Sequence, residues 1–298
     1  MINRWASQAL HKYFERKSLK IVPTRSLNIP YPWRPEDDVK RACDFLCPVN
    51  SEHELIRVGG AADGGYLVPD DLEGIAACFS PGVSNNSMFE RMCLDRGMRV
   101  HLADASVDGP GEGLTLEDCT FESVFLAAAA SDNGLTTLED WVNRQEPGDH
   151  DLLLQMDIEG AEYASLLATP KAILDRFRII VVEFHHLYLV HSELVGQVME
   201  GVWARLAQNH QCVHLHINNA ATLEQVNAKG ATLPKVLEAS FIRRDRIRGP
   251  LREIDVLPHP LDSDCVPSKP PLELPVDLYR NARGLKLAQR LQQQATTA

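Results

Sequence analysis

The chain has 298 residues, enough for one large α/β domain with extensions or for two small domains. Its hydrophobic content of 44% and charged content of 24% are ordinary for a globular protein that buries a sizeable core. The net charge of −11 argues against a nucleic-acid partner, because phosphate binding requires a basic surface.

The seven cysteines are scattered without the paired spacing of a zinc site. We interpret them as reduced thiols, which predicts a cytoplasmic location. The first twenty residues carry Arg4, Lys12 and Arg16 among apolar residues and do not have the apolar core of a signal peptide. No stretch of the sequence approaches the roughly 20 apolar residues that a membrane span needs.

Three regions follow one another along the chain, at residues 1–51, 52–248 and 249–298. The first begins with a weak amphipathic pattern from Trp5 to Phe14. It continues with a proline-containing extended segment at residues 29–33 and a predicted helix over residues 37–45.

Short apolar runs alternate with helical patterns in the middle region, which is typical of a parallel sheet with crossover helices. The predicted strands cover residues 74–80, 99–103, 125–130, 152–156, 179–184, 212–217 and 237–243. The predicted helices cover residues 88–96, 137–143, 162–167, 172–177 and 193–209. No long helix separates the last two strands, so we expect a hairpin with an antiparallel final strand. The fold class is therefore α/β, with a mostly parallel sheet of about seven strands.

The last region begins with a stretch rich in proline, serine and aspartate at residues 257–275, which we call the strap. A short terminal helix is predicted over residues 277–294. Fold alone does not define a substrate, and we expect the N-terminal region and the strap to shape the pocket.

The turn after the first strand is the expected cofactor site, because ligands bind at the carboxyl ends of strands in open α/β sheets. Gly82 allows a ligand to approach the backbone closely there, and Ser80 and Asn85 flank it. A strand, turn and helix with a single glycine is equally consistent with a purely structural turn.

The second strand ends at Asp104, about twenty residues later. This spacing suits a carboxylate that accepts hydrogen bonds from the ribose hydroxyls of an adenosine, with Ala105 beside it. A helix cap is the alternative role for Asp104. After the third strand, Ser131 and Asp132 are candidates for contact with an adenine edge, although a plain turn explains them as well.

A specific motif surrounds the fourth predicted strand. Residues 136–141 read Thr-Thr-Leu-Glu-Asp-Trp, and residues 151–162 read Asp-Leu-Leu-Leu-Gln-Met-Asp-Ile-Glu-Gly-Ala-Glu. This resembles the FkbM-type methyltransferase family, in which a Thr-Leu-(Asp/Glu) helix start precedes a strand that ends in Lys-Ile-Asp-Val-Glu-Gly-Ala-Glu. Residues 57–68 and 214–219 resemble the Arg-(Ile/Val)-Gly-x-x-x-Asp-Gly-Gly-Tyr and His-x-His-x-Asn-Asn elements of one branch of that family. The resemblance covers roughly residues 57–243.

The resemblance implies a class I, Rossmann-like methyltransferase fold that binds S-adenosylmethionine. It also implies O-methylation of a small hydroxylated acceptor, such as a sugar or glycan precursor. The first turn departs from the family, because Ser84 stands where members often have a second glycine, and Asn85 and Asn86 follow it. This departure favours a catalytically inactive binding or scaffold protein as the main alternative. An NAD-dependent oxidoreductase is a further alternative, which the absence of a G-x-G-x-x-G motif disfavours.

O-Methylation requires a base for the hydroxyl proton and an alignment of the reacting atoms. The candidate catalytic residues follow the fourth, fifth and sixth strands: Asp157, Glu183, His185, His214 and His216. Asp157 is also a cofactor-binding candidate, because in this fold its position lies beside the methionine end of the cofactor. The candidate substrate-binding residues are Arg57, Asp63, Glu159, Asn218 and Asn219.

Carboxylates and imidazoles at one edge of a sheet also suit a divalent metal such as Mg²⁺ or Mn²⁺. The ligands would then be Asp157, Glu183 and His214, and the ion would lower the pKa of the acceptor hydroxyl. A metal-free site, with one histidine as general base and the carboxylates on sugar hydroxyls, explains the same residues. The sequence leaves both alternatives open.

Overall fold

The computed structural model describes residues 34–225 and 232–297. Its central feature is a seven-stranded sheet. We number these strands β1 (Ala77–Pro81), β2 (Arg99–Ala103), β3 (Thr120–Glu122), β4 (Leu152–Met156), β5 (Phe177–His185), β6 (His210–Ile217) and β7 (Val236–Arg243). The predicted amphipathic segment between Trp5 and Phe14 and the extended segment at residues 29–33 lie outside the described residues.

The strands lie in the order β6-β7-β5-β4-β1-β2-β3. Strand β7 is antiparallel to both β5 and β6, whereas the other neighbouring pairs are parallel. The predicted α/β class, the mostly parallel sheet and the antiparallel hairpin of the last two strands are therefore confirmed. This arrangement is compatible with a Rossmann-like fold.

Strands β4 and β5 occupy the middle of the sheet, and every residue in both is buried. A strand covered on both faces reads as a continuous apolar run, which is how these two strands could be recognised in the sequence. Two apolar cores form on opposite faces. Phe79, Leu154 and Val182 belong to one core, and Leu153 and Val181 belong to the other.

Helices cover both faces of the sheet. We number them α1 (Glu36–Cys43), α2 (Met88–Leu94), α3 (Leu138–Gln145), α4 (Glu162–Ala168), α5 (Lys171–Leu174), α6 (Glu193–Asn209), α7 (Val276–Tyr279) and α8 (Ala282–Thr297). Short 3₁₀ turns follow at Asp44–Leu46, Leu187–His191 and Arg244–Arg246. Thr137 caps α3 by accepting the backbone N–H of Asp140. Among the described residues, no helix is long and apolar enough to cross a membrane.

The third predicted strand, residues 125–130, is wrong. Strand β3 lies earlier, at Thr120–Glu122, and is a short, partly exposed edge strand with little apolar signal. Phe125–Leu126 instead pairs with Leu135–Thr136 in a separate two-stranded sheet. The alanines at residues 128–130 are exposed and form no strand. Alanine has a low preference for strands and gains little from burial, so this run does not extend the pairing of Phe125–Leu126.

A β-hairpin lies against the central sheet. Its strands are Leu55–Val58 and Tyr66–Pro69, and Gly64 and Gly65 lie in the loop that joins them. Ser240 of β7 donates a hydrogen bond to the backbone oxygen of Leu67, 2.6 Å away, which holds the hairpin on the sheet.

The C-terminal region packs on the rest of the described chain. Helix α8 begins beside Cys47. Its residue Gly284 packs so closely there that an added Cβ would lie 2.4 Å from the Cβ of Cys47. Arg244 follows β7, is almost fully buried and donates to the backbone oxygen of Ala288 in α8. The single terminal helix predicted over residues 277–294 is in fact two helices, α7 and α8.

Candidate active site

A row of ionisable residues crosses the carboxyl end of the sheet. His216 of β6 is paired with Glu238 of β7, and Glu238 is paired with Glu183 of β5. Residues paired directly across neighbouring strands point to the same face, so these three side chains share one face of the sheet. Asp157 follows β4, the next strand along the row. We call Asp157, Glu183 and His185 the ionisable cluster.

His185 is the centre of this cluster. Its Nε2 lies 3.8 Å from Oδ1 of Asp157, 3.8 Å from Oε1 of Glu183 and 3.6 Å from Oε2 of Glu159. Its Nδ1 lies 3.0 Å from Oε1 of Glu162, which is fully buried. Glu162 therefore fixes the orientation of the imidazole, and Nε2 is directed at three carboxylates.

The turn between β4 and α4 has an unusual backbone. Glu159 has a φ of 56° and Gly160 a φ of 103°, both in the left-handed region. Oε1 of Glu162 accepts the backbone N–H groups of Ile158 and Gly160, at 3.2 and 3.0 Å, and so closes this turn. A left-handed non-glycine residue costs roughly 1 to 3 kcal/mol, and such strain is concentrated at functional sites.

Burial and mutual charge shift the pKa values of all three groups in the cluster. Burial raises the pKa of Asp157 to about 7, against the opposing charge of His185. Burial, reinforced by the charge of Asp157, also raises the pKa of Glu183 well above its ordinary value. Burial alone would lower the pKa of His185, but the hydrogen bond to Glu162 and the surrounding carboxylates raise it to about 9.

Neighbouring polar side chains hold Glu183 in place. Asn218 donates to Oε1 of Glu183 at 3.0 Å, and the hydroxyl of Tyr66 lies 3.5 Å from Oε2. Gln155 donates to the Tyr66 oxygen at 3.2 Å. By contrast, Oδ1 of Asp157 is buried and has no hydrogen-bond partner.

The turn after β1 lies directly against Asp157. Gly82 has a φ of 89°, and a Cβ added there would fall 1.6 Å from the backbone oxygen of Asp157. The carboxylate of Asp104 accepts the backbone N–H groups of Val83 and Ser106, at 2.9 and 2.6 Å. The structure therefore brings the predicted residues Gly82, Asp104 and Asp157 together.

The other predicted cofactor residues are placed differently. Ser80 is fully buried, and its hydroxyl lies 2.5 Å from carboxyl and amide oxygens of Glu90 and Gln155, so its side chain faces the interior. Asn85 and Ala105 are exposed beside the turn. Ser131 and Asp132 are exposed in a turn in which the backbone N–H of Ser131 donates to the backbone oxygen of Leu135.

The predicted substrate-binding residues divide into three groups, and the third consists of Asn219, which contacts the strap. Asn218 and Glu159 contact the ionisable cluster. Arg57 instead donates to the backbone oxygens of Gly60 and Ala62 and shapes the hairpin loop. At the same loop, burial raises the pKa of Asp63, and the charge of Glu238 adds to this effect.

The predicted metal ligand His214 is not part of the cluster, which is a correction to the sequence interpretation. Its Nε2 lies 2.9 Å from Asp262 of the strap. Strand β6 is the edge strand, separated from β5 by β7, so His214 is too far along the sheet to join Glu183. His185 takes its place in the cluster, where the donor atoms of Asp157, Glu183 and His185 lie within 4.8 Å of one another.

Asn219 also belongs to the strap contact. Its side chain donates to the backbone oxygen of Val266 at 3.1 Å and accepts the Val266 N–H at 2.8 Å. His216 forms a second group with Glu238 and Cys265 of the strap. Oε2 of Glu238 lies 3.0 Å from Nδ1 of His216, and Oε1 lies 3.0 Å from the Cys265 thiol. The strap therefore lies along the same edge of the sheet as the cluster.

Sequence reasoning assigned no role to Glu162 or Tyr66. Glu162 ends the Asp-Ile-Glu-Gly-Ala-Glu motif, and Tyr66 ends the Asp-Gly-Gly-Tyr element, so both were visible as parts of a family pattern. The contacts that define their roles, to His185 and Glu183, join segments that are far apart in the chain.

A groove of about 450 Å³ lies elsewhere on the molecule, lined by residues that include Arg41, Glu200, Arg283 and Lys286. None of the residues that line this groove belongs to the ionisable cluster, so the groove is separate from the candidate site. The cluster is identified by its chemistry and position in the fold instead.

No protein-family model matches the sequence, and no curated protein shows significant similarity to it. The resemblance to FkbM-type methyltransferases therefore stays a prediction.

Proposed function

We propose that the protein is an S-adenosylmethionine-dependent O-methyltransferase of the FkbM type that acts on a small hydroxylated acceptor, such as a sugar or glycan precursor. The observation that carries this proposal is the contact between the turn after β1 and Asp157. Because of this contact, the turn at Gly82, where we expect the cofactor to bind, lies directly beside the ionisable cluster. A cofactor and an acceptor bound there would be neighbours, as group transfer requires.

The sheet topology supports the proposal. The order β3-β2-β1-β4-β5-β7-β6 with an antiparallel β7 is compatible with a Rossmann-like fold and is the order that we expect of a class I methyltransferase. The strand order reverses between β1 and β4, and ligands bind at such a switch point in open α/β sheets. Gly82 follows β1 and Asp157 follows β4, so both lie at that point.

The residues present fit the cofactor. Asp104 uses one hydrogen bond on each carboxylate oxygen, and a carboxylate offers about four acceptor sites, so acceptor capacity is left for ribose hydroxyls. When bound, S-adenosylmethionine supplies an electrophilic methyl group on a positively charged sulfonium. A cation beside Asp157 and Glu183 favours their ionised forms, so these groups would favour the sulfonium, whereas the ionised forms would repel the pyrophosphate of a dinucleotide. This charge disfavours the oxidoreductase alternative.

The chain's own residues would bind and orient the acceptor. The unpartnered Oδ1 of Asp157 can accept a hydrogen bond from an acceptor hydroxyl, and Asn218 holds Glu183 in a fixed position beside it. The strap and the hairpin lie at the same edge, where Ser263 donates to the backbone oxygen of Ala61.

Thermal denaturation with different ligands tests the proposal against both alternatives. A ligand that binds only the folded chain stabilises it by about 2.7 kcal/mol at one hundred times its Kd. We expect S-adenosylmethionine and its demethylated product to raise the melting temperature by several degrees, and NAD to leave it unchanged. A shift with NAD alone would favour an oxidoreductase, and no shift with any of the three would favour the scaffold protein.

A further inference from the structure

We propose that the ionisable cluster binds a divalent cation of the Mn²⁺ class, with Asp157, Glu183 and His185 as its ligands. The three side chains each offer one donor atom, and these atoms lie within 4.8 Å of one another. Nε2 of His185 is 3.8 Å from each of the two carboxylate oxygens. Ligands at right angles around bonds of about 2.1 Å are about 3 Å apart, so side-chain shifts of less than about 1 Å would complete the site.

The second argument is the way His185 is held. A histidine that binds a metal almost always donates its other ring nitrogen to a carboxylate or a carbonyl, which fixes its tautomer and orientation. Nδ1 of His185 lies 3.0 Å from the fully buried Glu162, so Nε2 is the ring nitrogen that faces the two carboxylates, and it would bind the cation on releasing its proton. His185 is itself only 7% exposed, and its Nε2 is directed at carboxylates rather than at a hydrogen-bond partner.

Charge supplies the third argument. Two carboxylates converge on one point, and Oδ1 of Asp157 is buried with no hydrogen-bond partner. Two carboxylates favour Mg²⁺ or Mn²⁺, and one imidazole shifts the preference towards Mn²⁺.

The group of His216, Glu238 and Cys265 is a weaker candidate. Glu238 uses one oxygen for His216 and the other for Cys265, so the three side chains satisfy one another. This group provides a control, because it lies on the same edge of the sheet and contains a residue, Cys265, without a role at the ionisable cluster.

The role of the cation rests on the proposed function, but its binding does not. In a methyltransferase, a cation at this position would orient the acceptor hydroxyl and lower its pKa. Binding of Mn²⁺ alone can be measured without cofactor or acceptor. A failure of metal binding is therefore distinguishable from a failure of the methyltransferase assignment.

The test is a titration of the full chain, dialysed against chelator, with MnCl₂. Free Mn²⁺ is followed by electron paramagnetic resonance and the binding heat by calorimetry. We expect one Mn²⁺ per chain, binding at least tenfold weaker in Asp157→Asn, and about 10- to 100-fold weaker in Glu162→Gln, which only positions His185. The control Cys265→Ala should keep the affinity within about twofold.

Circular dichroism melting verifies that each variant is folded. Should the buried Glu162→Gln variant fail to fold, Asp157→Asn, whose side chain is 30% exposed, carries the test. The proposal is overturned if the folded wild-type chain binds no Mn²⁺ at millimolar concentration. It is also overturned if Cys265→Ala weakens binding as strongly as Asp157→Asn, because the cation would then lie in the other group.

Discussion

At the scale of single residues, the contact between Gly82 and Asp157 is the tightest constraint at the site. We expect Gly82→Ala to lower the free energy of unfolding by about 3 kcal/mol or more, because its Cβ would overlap the backbone oxygen of Asp157. Urea denaturation measures this change. The displaced turn should also lose its affinity for S-adenosylmethionine.

Gly134→Ala is the matched control. Gly134 has a φ of 78°, similar to the 89° of Gly82, but nothing lies within 4 Å of an added Cβ. This variant should cost only the backbone strain, about 1 to 2 kcal/mol. Equal destabilisation by the two substitutions would show that the close approach to Asp157 has no energetic importance.

Some site residues could be predicted from the sequence, because neighbouring residues in the chain are enough to identify them. Asp157, Glu183 and His185 stand at the ends of apolar runs, and strand ends are where ligands bind in this class of fold. The role of Glu162 depends on the left-handed turn at Glu159, which a sequence pattern does not reveal. His214 was misplaced because the order of strands in the sheet, not the sequence spacing, determines its neighbours.

At the scale of elements, Asp151 joins the strands at the end of the sheet opposite the candidate site. It accepts hydrogen bonds from Arg178 of β5 at 2.8 Å and from Arg243 of β7 at 2.6 Å. Burial alone would raise the pKa of Asp151, but these two arginines hold it below its ordinary value. A lowered pKa means that the folded chain gains stability from the ionised carboxylate.

The pH dependence of unfolding follows from the sign of this shift. The contribution of Asp151 is fully present above its unfolded pKa, near 3.9, and is lost as the pH falls through its lower folded pKa. We expect Asp151→Asn to lower the free energy of unfolding by about 2 kcal/mol at pH 7. The difference from wild type should shrink below about pH 4 in urea denaturation. A difference that stays constant down to pH 3 would contradict this assignment.

The elements themselves were predictable where burial is continuous. Strands β4 and β5 are buried along their whole length, and their apolar runs marked them in the sequence. Strand β3 has only three residues and lies at the edge of the sheet, where its side chains are partly exposed. It is therefore too short and too polar to produce an apolar run in the sequence. Phe125 and Leu126 gave an apolar signal, but they pair with Leu135–Thr136 rather than with the central sheet.

At the scale of the whole molecule, three distant parts of the chain meet at one edge of the sheet. The hairpin supplies Tyr66, the ends of β4 and β5 supply the ionisable cluster, and the strap contacts β6 and β7 through Asp262 and Cys265. The sequence led us to expect that the proline-rich strap shapes a pocket. It did not predict which strap residues make the contacts, because these contacts join segments that are far apart in the chain.

The most direct test of the methyltransferase assignment is a calorimetric titration with S-adenosylmethionine. Asp104 is buried at the end of β2, whereas Asp108 is exposed four residues later in the same loop, so Asp108→Asn is a matched control for Asp104→Asn. We predict binding by the wild-type chain with a Kd on the order of micromolar, weakened at least tenfold in Asp104→Asn and unchanged in Asp108→Asn. Absence of binding to the folded wild-type chain, or equal affinity in all three proteins, would contradict the account.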